Sequence, residues 1–144
     1  MQYVFSTQET KRYRFPTHIN DLVMDRSQAA ASEVFVVVIE PGKAPPLHKH
    51  DDTEQIFYVL AGQGRLEIGE EGDEYPVSPG DMVRIPPSTW HAIHCEGRDE
   101  LRYLAVDCFP GGRPAAEPTW DSHVQVLCEE NGWDYSEVIE TGNG

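Results

Sequence analysis

Residues 32–62 read SEVFVVVIEPGKAPPLHKHDDTEQIFYVLAG, and this stretch decides the fold class. Its first part is rich in β-branched residues and ends at Pro41-Gly42, which predicts a strand over 32–40 followed by a turn. Its last part predicts a second strand over 55–61, closed by the turn sequence Gly62-Gln63-Gly64. Two strands with no helical stretch between them favour an all-β protein over an α/β protein.

The same strand-and-turn pattern continues on both sides of this stretch. Turn sequences separate the strand candidates, because glycine supplies positive φ, proline presets φ, and Asp or Ser bonds to the local backbone. Turns at intervals of about eight to twelve residues are typical of a sandwich or barrel. The further predicted strands are 19–25, 65–68, 74–77, 82–85, 90–95 and 101–107.

One segment near the end of the chain departs from this pattern and predicts a helix. Its apolar residues recur at helical spacing, and they are Trp120, Val124, Leu127 and Cys128. Thr119 or Asp121 can cap its start, and Gly132 suits a left-handed stop. We therefore predict a β-barrel with N-terminal strands over 1–110. Residues 111–144 are predicted to form a linker and a C-terminal α-helix that packs on the barrel.

The composition limits the classes of function. The chain has 144 residues, the usual size of one domain, and its 11 basic and 25 acidic residues give a formal charge of −14. So negative a surface repels phosphate groups, which argues against nucleic-acid and membrane partners. The longest strictly apolar run, 34–39, is too short to span a bilayer. The N-terminal residues lack the apolar segment of a secretory signal, which predicts a cytoplasmic protein. The three cysteines are widely spaced, which predicts reduced thiols.

The histidines carry the main chemical signal. His48 and His50 are two residues apart, so both would project to one side of a strand. His91 begins another predicted strand directly after a Pro-Pro turn, and an oxygen donor is available at the start of the strand over 55–61. Three imidazoles and one oxygen donor suit a divalent transition metal. The other three histidines are interpreted as structural (His94) or as surface residues (His18, His123).

Two motifs around these histidines resemble those of the cupin superfamily, the small double-stranded β-helix proteins. The first runs from Gly42 through His48-Lys49-His50 to Gly62, and the second runs from Gly80 through Pro86 to His91 and Cys95. The resemblance implies an all-β jelly-roll barrel (motifs at 42–62 and 80–95) that binds one metal ion. Ser88 stands where the second motif has glycine, and Cys95 where it has asparagine; neither is expected to be a ligand.

The acidic ligand of the first motif is ambiguous. Counting back from Gly62 places Gln55 at that position, whereas counting on from His50 places Glu54 there. Adjacent strand residues face opposite sides, so only one of them can point inward. We prefer Gln55, because the Gly62 turn fixes the register more firmly than the loop length does. The predicted metal ligands are therefore His48, His50, His91 and Gln55, with Glu54 as the alternative to Gln55.

The inward positions of the strands predict the pocket around the metal: Phe57, Val59, Val83 and Tyr103. The metal is expected to be Mn, Fe, Ni or Zn, and the ligand a small oxygen-chelating molecule, which an anionic group would suit. Isomerase, lyase and dioxygenase chemistry all fit this site, and the alternative is a non-catalytic module that binds a metal or a small ligand. A homodimer is expected, as is common in similar cupins.

Overall fold

The computed structural model describes residues 1–140 and consists of two antiparallel sheets that share one apolar core. The strands are β1 (Lys11–Arg14), β2 (Ile19–Met24), β3 (Ser32–Ile39), β4 (Glu54–Ala61), β5 (Gly64–Ile68), β6 (Asp73–Val77), β7 (Met82–Ile85), β8 (His91–Cys95) and β9 (Leu101–Cys108). The first sheet has the order β1-β2-β3-β9-β4-β7 and the second has the order β6-β5-β8. The predicted all-β class is confirmed.

The differences from prediction lie where the sequence pattern is weak. Strand β1 was not predicted, because three of its four residues are basic and only Tyr13 is buried. A 3-10 turn over Arg26–Gln28 and a second short helix, α2 (Tyr135–Val138), were not predicted either. Each of these elements is too short to show a hydrophobic period.

The predicted C-terminal helix is present as α1 (Trp120–Asn131). The hydroxyl of Thr119 caps its start by accepting a hydrogen bond from the Ser122 N–H, and Gly132 ends it with φ of 71°. Trp120, Val124 and Cys128 are buried in the same core as the two sheets. The division at residues 110 and 111 stays a prediction, and residues 141–144 of the predicted C-terminal segment lie outside the described residues.

The inner face of the larger sheet is organised in rows of paired residues across β3, β9 and β4. The three rows are Glu33–Asp107–Gln55, Phe35–Ala105–Phe57 and Val37–Tyr103–Val59. The second and third rows are almost entirely apolar, whereas the first row is polar and also buried. The barrel therefore has an apolar interior and one polar end, and the candidate site lies at that end.

The outer face of the same sheet exposes the side chains of Tyr58, Leu60 and Met82. Apolar groups on a sheet face are compatible with a homodimer, which stays a prediction. No helix within residues 1–140 combines the length and the apolar character that crossing a bilayer requires.

Candidate functional site

Three predicted ligands, His48, His50 and His91, lie together at the polar end of the barrel. The His48 N–H donates to the His91 carbonyl at 3.1 Å, and the His91 N–H donates to the His48 carbonyl at 2.9 Å. The ring centre of His48 lies 4.4 Å from that of His91 and 4.8 Å from that of His50, and the His50 and His91 ring centres are 6.2 Å apart. His48 and His50 were predicted on a strand, but they lie in a loop that makes one isolated bridge.

Ser88 fixes this loop from the other side. Its N–H donates to the His50 carbonyl at 2.7 Å, and its hydroxyl donates to Asp51 at 2.8 Å. Ser88 has φ of 58°, the only positive value at a non-glycine residue in the described part of the chain. The position therefore favours the glycine of the second motif, and the two hydrogen bonds offset the backbone strain of serine.

Two of the imidazoles are held in a defined tautomer. Nδ1 of His48 lies 2.6 Å from the carbonyl oxygen of Pro46, and Nδ1 of His91 lies 2.9 Å from that of Thr89. Because a carbonyl oxygen only accepts, both Nδ1 atoms carry the proton and both Nε2 atoms keep a free lone pair. Nε2 of His91 is buried and has no hydrogen-bond partner.

Burial also keeps these rings neutral. It lowers the pKa of His50 to about 3 and that of His91 to about 4, and it lowers the pKa of His48 as well. Neighbouring imidazoles lower the pKa of His50 and His91 further, because each would repel a second positive charge. At neutral pH the three rings are therefore uncharged, which is the state that binds a metal cation.

Gln55 and Glu54 lie on opposite faces of β4. Gln55 is buried, and its amide nitrogen Nε2 donates to Oδ1 of Asp107 at 2.8 Å. Its carbonyl oxygen Oε1 is buried without a partner. Glu54 points away from the cavity and forms an ion pair with Arg84 at 3.0 Å. Gln55, and not Glu54, therefore faces the candidate site.

A buried polar chain behind Gln55 was missed by the sequence analysis. Arg26 holds the Glu33 carboxylate through two hydrogen bonds of 2.7 and 2.8 Å, and Glu33 in turn contacts the carboxyl of Asp107. Burial raises the pKa of the Asp107 carboxyl well above its ordinary range, and the hydrogen bond with Glu33 raises that pKa further. The sequence did hold one signal for it: the inner faces of β3 and β9 are otherwise apolar, and each carries one acidic residue, Glu33 and Asp107.

The histidines open onto a cavity of about 530 Å³. Phe57 and Tyr103 line it as predicted, but Val59 and Val83 do not. Both valines are buried in the packed core instead, because the inner face passes from the cavity into the barrel interior within a few residues. Lys49 is the only lysine or arginine on the part of the wall that the structure describes.

His18 and His123, predicted as surface residues, both line this cavity. The ring of His18 stacks on Phe15 at 4.8 Å, and burial lowers its pKa to about 3. The ring centre of His123, on helix α1, lies 6.4 Å from that of His50. The sequence did indicate this position: His123 follows Trp120 by three residues, which places it on the buried side of the helix.

Glu117 orients the ring of His123. Oε1 of Glu117 lies 2.7 Å from Nδ1 of His123, and this hydrogen bond lowers the pKa of the Glu117 carboxyl. Because an ionised carboxylate only accepts, Nδ1 carries the proton and Nε2 is the nitrogen left for other contacts.

The donors fit a transition metal in type, and the separations of their rings leave room for a shared ion. An ion bound at ~2.1 Å from Nε2 lies ~3.25 Å from the ring centre, so the centres of two rings that share it are at most ~6.5 Å apart. The three separations, 4.4, 4.8 and 6.2 Å, meet this limit. Within residues 1–140, however, no group of three or more His, Cys, Asp or Glu side chains is arranged so that it could hold a metal ion. The ring separations therefore permit a shared ion, but the rings as they stand do not form a coordination shell.

Comparisons with known proteins agree with this architecture. A family model described as "Cupin domain" matches residues 35–107. An oxalate-binding protein of Thermotoga maritima is 32% identical over 68 residues, which cover 47% of this chain and 54% of that protein. Quercetin 2,3-dioxygenase of Bacillus subtilis is 32% identical over 97 residues, which cover 67% of this chain and 28% of the enzyme. The chain thus spans about half or less of these curated relatives.

A solved structure shows the fold. A protein of Klebsiella pneumoniae with a double-stranded β-helix domain superposes with a TM-score of 0.65 at 21% sequence identity. The superposition covers 77% of this chain and 93% of that one. The predicted double-stranded β-helix with a C-terminal helix is therefore confirmed.

Proposed function

Because the chain belongs to the cupin family, we propose that it binds one divalent transition metal through His48, His50, His91 and Gln55. The observation that carries this proposal is the buried Nε2 of His91, which has no hydrogen-bond partner although its lone pair is free. A buried acceptor without a partner costs free energy, and a bound cation removes that cost.

The cavity beside these donors suits a small oxygen-chelating molecule. A bound metal supplies Lewis acidity toward the oxygen atoms of such a ligand. Since all four protein donors are neutral, they cancel none of the ionic charge, and an anionic chelator such as a dicarboxylate is favoured. The buried aromatic rings of Phe57 and Tyr103 form part of the cavity wall.

The His123–Glu117 pair favours an enzyme over a binding module. With its Nδ1 proton held by Glu117, His123 can accept a proton at Nε2 from a ligand in the cavity, and Glu117 stabilises the imidazolium that forms. The alternative is a non-catalytic module that binds a metal or a small ligand. The similarity to an oxalate-binding protein of Thermotoga maritima supports that alternative.

The first experiment tests the metal site by elemental analysis of protein purified without added metal. We expect about one equivalent of a transition metal in the wild type and at least a tenfold lower content in His91→Ala. His94→Ala is the matched control: the same substitution on the same strand, at a residue that contacts Glu67 and does not line the cavity. Equal metal content in all three proteins would remove His91 from the site.

Oxalate separates the enzyme from the binding module. We expect oxalate to shift the visible absorption of the Co²⁺-loaded protein, because a chelator replaces water at the metal. NMR of isotope-labelled oxalate then reports whether it is converted. Conversion that disappears in His123→Gln, with the absorption shift retained, supports an enzyme. An absorption shift with no conversion supports the binding module for this ligand.

A further inference from the structure

We infer that Asp107, held in place by Glu33 and Arg26, is the positioning residue that directs the carbonyl oxygen of Gln55 into the site. As a consequence, position 55 of this barrel requires an amide and is not suited to a carboxylate. The inference deepens the proposed function and rests on Gln55 being a ligand of that site.

The direction of the Gln55 amide is set by one hydrogen bond. The two ends of an amide have nearly the same shape, so the hydrogen-bond partner decides which end faces the cavity. Oδ1 of Asp107 accepts from Nε2 of Gln55 at 2.8 Å, and Oε1 is left without a partner at the site. A side chain without an acceptor at position 107 would allow the amide to turn and present a donor, which a metal does not bind.

The position of Asp107 is itself fixed by the sheet register and by a buried ion pair. Glu33, Asp107 and Gln55 lie side by side on β3, β9 and β4, and all three are at most 6% exposed. The guanidinium of Arg26 holds both oxygens of Glu33, and a further N–H of Arg26 donates to the carbonyl of Glu117 at 2.9 Å. The chain of contacts from Arg26 to Gln55 therefore has no flexible link exposed to solvent.

This arrangement explains why a carboxylate does not suit position 55. Replacing Gln55 with Glu places a carboxylate oxygen against Oδ1 of Asp107, two acceptors with no donor between them. The row would then hold three carboxyl groups. The guanidinium of Arg26 beside them is already paired with Glu33. Asparagine at position 107 relieves the conflict, because its amide has two N–H donors and can serve both Glu33 and a glutamate at 55.

The first experiment measures Co²⁺ binding to the full chain by its visible absorption. Asp107→Asn keeps the acceptor for Gln55, so we expect an affinity within about threefold of wild type and an unchanged absorption band. Asp107→Leu removes the acceptor, and we expect an affinity lower by about ten- to a hundredfold and an altered band. Asp21→Asn is the control, since Asp21 is equally buried but pairs with Arg12 away from the cavity. A wild-type band and affinity in folded Asp107→Leu would overturn the inference.

A second experiment works even where Asp107→Leu does not fold. The thermal midpoints of metal-free wild type, Gln55→Glu, Asp107→Asn and the double variant form a cycle. We expect Gln55→Glu to lower Tm by roughly 5 °C and the double variant to recover at least half of that loss. If the wild type binds Co²⁺ but the Tm shifts of the two single variants simply add in the double variant, the positioning role of Asp107 is overturned and the proposed function is not. A wild type that binds no Co²⁺ would overturn the proposed function and, with it, this inference.

Discussion

The inner face of the large sheet changes character along three neighbouring strands. At one end the paired residues on β3 and β9 are Ile39 and Leu101, both fully buried and apolar. At the other end, on the same strands, they are Glu33 and Asp107, which are just as buried and carry carboxyl groups. Strand β4 shows the same change, from Val59 to Gln55.

The two ends therefore make different contributions to the molecule. Burying a leucine or isoleucine side chain contributes about 2 kcal/mol to the free energy of unfolding. A buried ion pair adds little over an apolar pair of the same volume, although breaking it is costly. The apolar end therefore contributes more to the stability of the fold, and the polar end, which contributes less, lies at the candidate site. Three predictions test this contrast.

The largest effect is expected where the polar end is broken. Arg26→Met leaves the carboxylate of Glu33, which has no exposed surface, without its cation. An unpaired buried charge is costly, so we expect the free energy of unfolding to fall by about 4 kcal/mol. Urea denaturation of the metal-free protein at neutral pH measures this loss.

Arg12→Met is the control for this substitution. Arg12 forms an ion pair of the same geometry with Asp21, at 2.7 Å, but its side chain is 39% exposed. We expect a smaller loss, about 1–2 kcal/mol: the Asp21 carboxylate, 8% exposed, loses its cation, but the Arg12 guanidinium beside it is partly exposed and water screens the pair. Similar losses in the two variants would contradict the assignment of Arg26–Glu33 as a buried and sensitive pair.

An intermediate effect is expected from acid, at the cavity wall. Burial lowers the pKa of His18 to about 3, whereas an unfolded histidine titrates near pH 6.5. Between these values the unfolded chain binds one more proton at this residue, so stability is lost as the pH falls from about 6.5 toward 3. We expect His18→Gln to reduce the slope of unfolding free energy against pH by ~1.4 kcal/mol per pH unit between pH 6 and 4.

The same measurement contains its own reference. Above about pH 7.5 residue 18 is uncharged in both folded and unfolded states, so the wild-type and His18→Gln curves should run parallel there. Curves that remain parallel down to pH 4 would show that His18 takes up its proton in the folded state as well, and that it is not a buried neutral histidine.

The sequence predicted what depends on short-range pattern. Strands and turns follow from β-branched runs that end at Gly or Pro, and the convergence of His48, His50 and His91 follows from two spaced motifs. Counting back from the turn at Gly62 predicted that Gln55 lies on the inner face of β4, where the structure has it. The count works because only a few residues separate Gln55 from the turn. Loop length was the poorer guide, since the segment after His50 does not form a strand.

What could not be predicted depends on how distant elements meet. His123 was interpreted as a surface residue although its spacing from Trp120 indicates the buried side of helix α1; that this side covers the cavity could not be read from the sequence. Val59 and Val83 were placed in the pocket because alternation gives the face of a strand but not the depth at which the cavity ends. The contact between Glu33 and Asp107 joins residues 74 positions apart, and no local pattern reports such a pair.

The smallest effect is expected at Glu54, and it sharpens the contrast between the two faces of β4. Glu54 is adjacent to Gln55 in the chain, but its partner is Arg84, whose side chain is 61% exposed. We expect Glu54→Gln to change the free energy of unfolding by less than ~0.5 kcal/mol and to leave Co²⁺ affinity within about twofold of wild type. Loss of a metal ligand would instead lower that affinity by tenfold or more. Such a loss in Glu54→Gln would mean that the metal-loaded protein uses the other face of β4, and that the neutral donor set proposed for the site is wrong.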